Sequence, residues 1–116
     1  MPFAEEDYVD NSTYVYSIQS TRGTGSKSAI KSATLTKAKN ELSAKVRSQI
    51  ISNATVNQDG EDGADFSESF KATITDNVNK IVESTVLTKS EWLTYGKSIS
   101  GKEESEYWGV YRVKYK

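Results

Sequence analysis

The sequence predicts an α+β domain in which two long helices pack on one face of a small antiparallel sheet, in the order β-α-α-β-β. Three observations carry this reading: two stretches with apolar residues at helical spacing, flanking segments that alternate as strands do, and clusters of turn formers between them. A chain of 116 residues has room for one hydrophobic core, so residues 13–116 are read as a single domain behind an irregular arm, residues 1–12. Phe3 and Tyr8 are the two side chains in that arm able to anchor it.

The first strand spans Tyr14 to Thr21, with Tyr14, Tyr16 and Ile18 on one face and Val15 and Ser17 on the other. Gly23-Thr24-Gly25 supplies backbone freedom for a turn, and Ser26 or Ser28 caps the helix that follows. That helix runs from Ala29 to about Ser52, free of Gly and Pro, with a stripe made by Ile30, Ala33, Ala38, Leu42, Val46 and Ile50. Glu41 and Lys45 form a favourably oriented four-residue ion pair on another face.

Asn53 to Ala64 is rich in turn formers and reads as an exposed loop, after which Asp65 caps a second helix. Its stripe is Phe66, Phe70, Ile74, Val78, Ile81 and Val82, ending near Ser84 to Leu87. Two strands follow, Glu91 to Gly96 and Glu106 to Lys116, joined by Ile99 to Glu104. In the last strand Tyr107, Tyr111, Val113 and Tyr115 share one face, and Trp108, Val110, Arg112 and Lys114 the other. One face meets the helices, which leaves the other partly exposed.

Composition removes whole classes of chemistry. The chain has neither Cys nor His, and so lacks thiolates, the usual zinc and copper ligands, and the side chain best suited to proton transfer near neutral pH. No cofactor is expected. Fifteen basic against sixteen acidic residues leave a formal charge of −1, which is no basis for binding nucleic acid. Met1 to Asp10 lacks the basic and apolar regions of a signal peptide, and no run of eighteen apolar residues exists to insert in a bilayer.

Each remaining motif has a plain structural reading beside its functional one. From Asn57 to Gly63 oxygen ligands alternate as in a calcium loop, with Glu68 at the twelfth place, but Asp62 stands where the sharp-turn glycine belongs. An ordinary solvated turn fits better. Glu103, Glu104 and Glu106 would have to supply any carboxylate catalysis, yet they fall in or beside the expected connection, where solvation opposes pKa tuning. Asn11-Ser12-Thr13 and Asn53-Ala54-Thr55 match the glycosylation tripeptide, a pattern common by chance. The aromatic strands offer Trp92, Tyr95, Trp108, Tyr111 and Arg112 as candidate partner contacts, since Trp, Tyr and Arg are favoured at interfaces; packing within the sheet is the alternative.

The strand leading into Arg22-Gly23-Thr24-Gly25, the alanine-bearing helix with Ala33, Ala38-Lys39 and Leu42, and the closing run Tyr107 to Val113 resemble the LPP-twenty lipoprotein family. These small bacterial envelope proteins are similar in layout to the N-terminal domain of the flagellar assembly protein T. Pro2-Phe3-Ala4-Glu5-Glu6 also looks like the segment that follows their lipidated cysteine. The resemblance covers most of the chain and implies a helix pair on a small sheet, no catalytic residue to carry over, and a role in envelope or appendage assembly. It would place the protein in the periplasm or at the outer membrane, an export signal and lipobox cysteine having been removed. The leading expectation is a non-enzymatic module that binds other proteins, or copies of itself, through a sheet face or an edge strand. A self-assembling phage virion or secretion-apparatus subunit made in the cytoplasm is the second, and a small carboxylate-dependent hydrolase the third.

Overall fold

Ser26 opens the first helix as expected. Its hydroxyl accepts the Ala29 amide at 3.2 Å while its carbonyl accepts the Ile30 amide, which satisfies groups that a helix start leaves unpaired. A computed structural model describes residues 1–57, 68–97 and 101–116. It places strand β1 at Tyr14–Gly23, helix α1 at Lys27–Asn57, helix α2 at Glu68–Glu83, and strands β2 and β3 at Val86–Lys97 and Glu103–Lys114. The class is α+β and the order is β-α-α-β-β, as the sequence predicts. The three strands are antiparallel in the spatial order β1-β3-β2, so the last strand is the central one.

Element ends differ from expectation for local reasons. Helix α1 starts at Lys27 and continues to Asn57, because no Gly or Pro interrupts it past Ser52. Strand β2 begins at Val86, five residues before the expected Glu91. The helix ahead of it ends without a glycine: the hydroxyls of Ser84 and Thr85 turn back to the carbonyls of Ile81 and Val82, so the chain enters the strand after a two-residue link. Strand β3 begins at Glu103, which moves Glu103 and Glu104 off the expected connection and onto the strand with Glu106. The arm is not wholly irregular, for Glu5–Asp7 forms one turn of 3₁₀ helix.

The buried line on α1 is Ile30, Thr34, Ala38, Leu42 and Val46, all at most 5% exposed, with Ile50 half-buried. Ala33 is exposed, and Thr34 takes its place in the stripe. Apolar spacing missed Thr34 because it is polar; its hydroxyl is hydrogen-bonded at 2.8 Å to both the Ile30 carbonyl and the Thr21 hydroxyl, which makes its burial tolerable. A strict four-residue step advances roughly 40° beyond a full turn each time, so the line winds around the helix. One stripe therefore serves two neighbours, the sheet and α2.

The core gathers Ala38, Leu42 and Val46 with Val15, Tyr111 and Val113 from the sheet and Ile74, Val78 and Val82 from α2. Helix α1 lies against β1 and β3, whereas α2 packs mainly on α1 and meets only β3 of the sheet. Neither helix makes an extensive contact with β2. On the opposite face Val110 is fully buried and Phe3 is 6% exposed, because the arm folds over this side. Phe3 meets Tyr8 edge to face at 6.4 Å, Tyr8 meets Tyr16 at 6.0 Å, and Lys89 Nζ lies 5.7 Å from the Phe3 ring. From Gln58 onward the calcium-like loop, with Asp65 and Phe66, lies outside the described residues, as do the side chains of Asn53, Glu68 and Phe70. Among the described residues, no helix is long and apolar enough to cross a membrane.

Candidate interaction surface

The five candidate contact residues do not share one surface, because strand parity divides them. Trp92 and Tyr111 point to the helix side. Trp92 packs on Tyr107 at 4.8 Å between ring centres, with Lys27 Nζ 5.2 Å from the Trp92 ring and Lys31 Nζ 5.8 Å from the Tyr107 ring. Tyr111 is 3% exposed; burial, followed by the neighbouring Tyr107, pushes its phenol up to about 12. It belongs to the core and offers a partner little surface.

Tyr95, Trp108 and Arg112 lie on the other face. The Arg22 guanidinium stacks 3.8 Å from the Tyr95 ring centre and pairs with Glu104, while Arg112 sits 4.6 Å above Tyr14. Glu106 Oε1 accepts both the Tyr95 hydroxyl at 2.8 Å and the Trp108 indole N–H at 2.7 Å. Burial pushes the Glu106 carboxyl up, but those two hydrogen bonds and the Arg22 charge outweigh it and hold the group below its ordinary value. A carboxylate held ionised is poorly suited to act as a general acid near neutrality. The cluster instead fastens the ends of three strands to one another.

A depressed carboxyl adds stability above its unfolded value of about 4.3, and that contribution disappears as pH falls through the lower folded value. Glu106→Gln should therefore reduce the urea midpoint by a constant amount from about pH 5 to 8. The deficit should shrink as the solution is acidified below about pH 4. A deficit unchanged by acid would show that the charge on Glu106 is not what the two hydrogen bonds stabilise.

The two outer edges of the sheet are finished differently. Tyr115 N donates to Thr13 O across the β1–β3 pair, which fixes the parity: odd residues of β1 turn their backbone inward and even ones outward. Outward groups of Tyr14, Tyr16 and Ser20 are occupied. Asn11 Oδ1 accepts the Tyr14 amide and the Asn11 amide donates to Tyr14 O; Asp10 Oδ1 accepts the Tyr16 amide. Lys45 Nζ donates to Tyr16 O at 2.7 Å and Lys37 Nζ to Ser20 O at 2.8 Å. Lys45 also bridges to Asp10 at 3.0 Å and to Glu41 at 3.7 Å, so the expected helix pair is one arm of a larger junction.

Strand β2 has no such cover among the described residues. By the same parity Lys89, Glu91 and Leu93 turn their backbone toward β3, which leaves the amides and carbonyls of Ser90, Trp92 and Thr94 facing outward. Val86, Leu87 and Tyr95 are 50%, 45% and 44% exposed. Between the strand and α1 an open cleft of about 330 Å³ is lined by Lys31, Leu35, Leu87, Tyr107 and Tyr111. The strand is twelve residues long and is interrupted by irregular register between Leu87 and Lys89 and between Thr94 and Lys97. Between those points lies a segment without an outer partner among the described residues, the kind of edge that folded proteins otherwise blunt.

No family model, curated protein or solved structure matches this chain. The lipoprotein resemblance thus rests on the residues that carry it. Of the site, the sequence marked the aromatic content of the strands. It missed the difference between the edges, whose one available signal was the placement of Lys37 and Lys45 eight residues apart beside the buried stripe of α1.

Proposed function

We propose that this chain is a non-catalytic interaction module of a bacterial cell envelope or appendage assembly, and that it engages other proteins by strand addition at the β2 edge. The observation that carries this reading is the contrast between the two edges. Side chains occupy outward backbone groups of Tyr14, Tyr16 and Ser20 on β1, while the outward backbone of β2 has no partner among the described residues and lies next to exposed Leu87 and Tyr95. Added strands take affinity from main-chain hydrogen bonds and specificity from alternate side chains, and β2 offers both. In this reading the helix pair is the stiff backing of the sheet, and the arm fastens the edge that is not used. The envelope setting is supported by the resemblance of the Arg22–Gly25 turn, α1 and the Tyr107–Val113 run to the lipoprotein family.

The test is site-specific photo-crosslinking in the cell that makes the protein. A photoreactive residue at Leu87 or Ser90 should yield a discrete protein adduct, and one at Ile18 on the covered edge should not. Adducts from Ile18 alone, or from none of the three, would overturn the reading. Fractionation and intact mass of the native protein test the compartment separately: envelope material carrying a lipidated cysteine ahead of Pro2 supports it, whereas recovery with virions would favour a capsid or tail subunit.

A further inference from the structure

We infer that the partner at the β2 edge is a second copy of this chain, joined β2 to β2 in antiparallel fashion about a two-fold axis at Ser90. The inference rests on the edge-binding reading and adds the identity and register of the occupant. Antiparallel pairing of outward residues with outward residues allows a small set of registers, and the charges on β2 choose among them. With Ser90 opposite Ser90 of the other copy, Lys89 stands directly across from Glu91, and Glu91 from Lys89. These are non-hydrogen-bonded positions, where opposed side chains come closest. Moving the axis one residue either way sets Lys89 against Lys89 or Glu91 against Glu91, the juxtaposition that destabilises a sheet.

The same arrangement accounts for the uncovered apolar surface. A two-fold axis perpendicular to the sheet keeps both helix layers on one side and continues the order as β1-β3-β2-β2-β3-β1. Leu87, 45% exposed, and half-buried Trp92 of each copy then approach those of the other across the junction, beside the one strand outside the helices' main contacts. Both β1 edges become the ends of the six-stranded sheet. Those are the edges that Asp10, Asn11, Lys37 and Lys45 already occupy, so assembly stops at two copies and does not continue into a fibre.

Sedimentation equilibrium over a wide concentration range tests this with two charge variants. Wild type should dimerise; Glu91→Lys sets Lys against Lys at both positions, Lys89→Glu sets Glu against Glu, and each alone should bind itself at least about tenfold more weakly. Mixed one to one, the two variants should restore a heterodimer, because every opposed pair is again of unlike charge. Residues 89 and 91 are exposed, and circular dichroism checks that each variant keeps its fold. A wild type that stays monomeric at high concentration, or variants that self-associate as well as wild type and gain nothing on mixing, would overturn the inference. If crosslinks from Leu87 or Ser90 join only a different protein, self-pairing fails while the edge-binding module stands; without an adduct at those positions, both fail.

Discussion

Replacing Leu42 with alanine should lower the free energy of unfolding by roughly 3 kcal/mol, the middle of the range for emptying a buried leucine site. Leu42 is fully buried and sits in the cluster that joins α1 to Val15, Tyr111 and Val113 on one side and to Ile74 and Val78 on the other. Its neighbour one turn earlier, Ala38, is too small to fill the space, and Val46 is β-branched and stiff at χ1. The cavity would therefore persist at the point where three elements meet. For a domain of this size the loss corresponds to a fall in melting temperature on the order of 10 °C or more. Ala33→Glu is the control, since Ala33 is exposed although it was expected in the stripe; its cost should stay within about 0.5 kcal/mol. Urea unfolding of both variants decides whether the buried line runs through position 34 or position 33.

That difference at one position shows what was legible in the sequence and what was not. Helical spacing located α1 and α2, and alternation located all three strands, because period is a property of neighbouring residues. Thr34 escaped, since a hydroxyl satisfied by Ile30 and Thr21 is buried for a reason that no hydropathy pattern contains. Strand order escaped as well. The Gly109-Val110-Tyr111 segment, buried at three successive positions, is what a central strand covered on both faces looks like, but the second cover comes from Phe3 in an arm far away in sequence.

The candidate site was legible in kind and not in arrangement. Aromatic and basic residues on the strands were visible, yet whether Tyr111 is a contact or a core residue depends on which face the helices choose. Edge protection is less visible still. Lys45 reads as half of a helix ion pair with Glu41, and only the fold reveals that it also reaches Asp10 and the Tyr16 carbonyl. Ordinary surface side chains, Asp10, Asn11, Lys37 and Lys45, thereby close the β1 side of the sheet.

Gly109→Ala reverses the usual sign of its substitution. A glycine within a strand costs conformational entropy, and alanine there ordinarily returns roughly 0.5–1 kcal/mol. At this position an added Cβ would lie 2.7 Å from Cε2, 2.8 Å from the hydroxyl oxygen and 2.9 Å from Cζ of Tyr111, whose side chain folds back along its own strand over the glycine. The ring can yield only by leaving the core cluster, in which it is 3% exposed, toward the open cleft it lines. The expected cost is about 1–3 kcal/mol, as for other overpacked sites. Two further readouts separate this cause from a general weakening of β3. Displacing the ring toward water should bring the Tyr111 phenol down from about 12 toward the ordinary tyrosine value near 10, which phenolate absorbance follows directly. In a Tyr111→Leu background the clash is absent, so adding Gly109→Ala should be neutral or stabilising, and the double-mutant cycle should return a coupling of at least about 1 kcal/mol. Equal costs in both backgrounds would mean that Gly109 is held for its backbone and not for the ring above it.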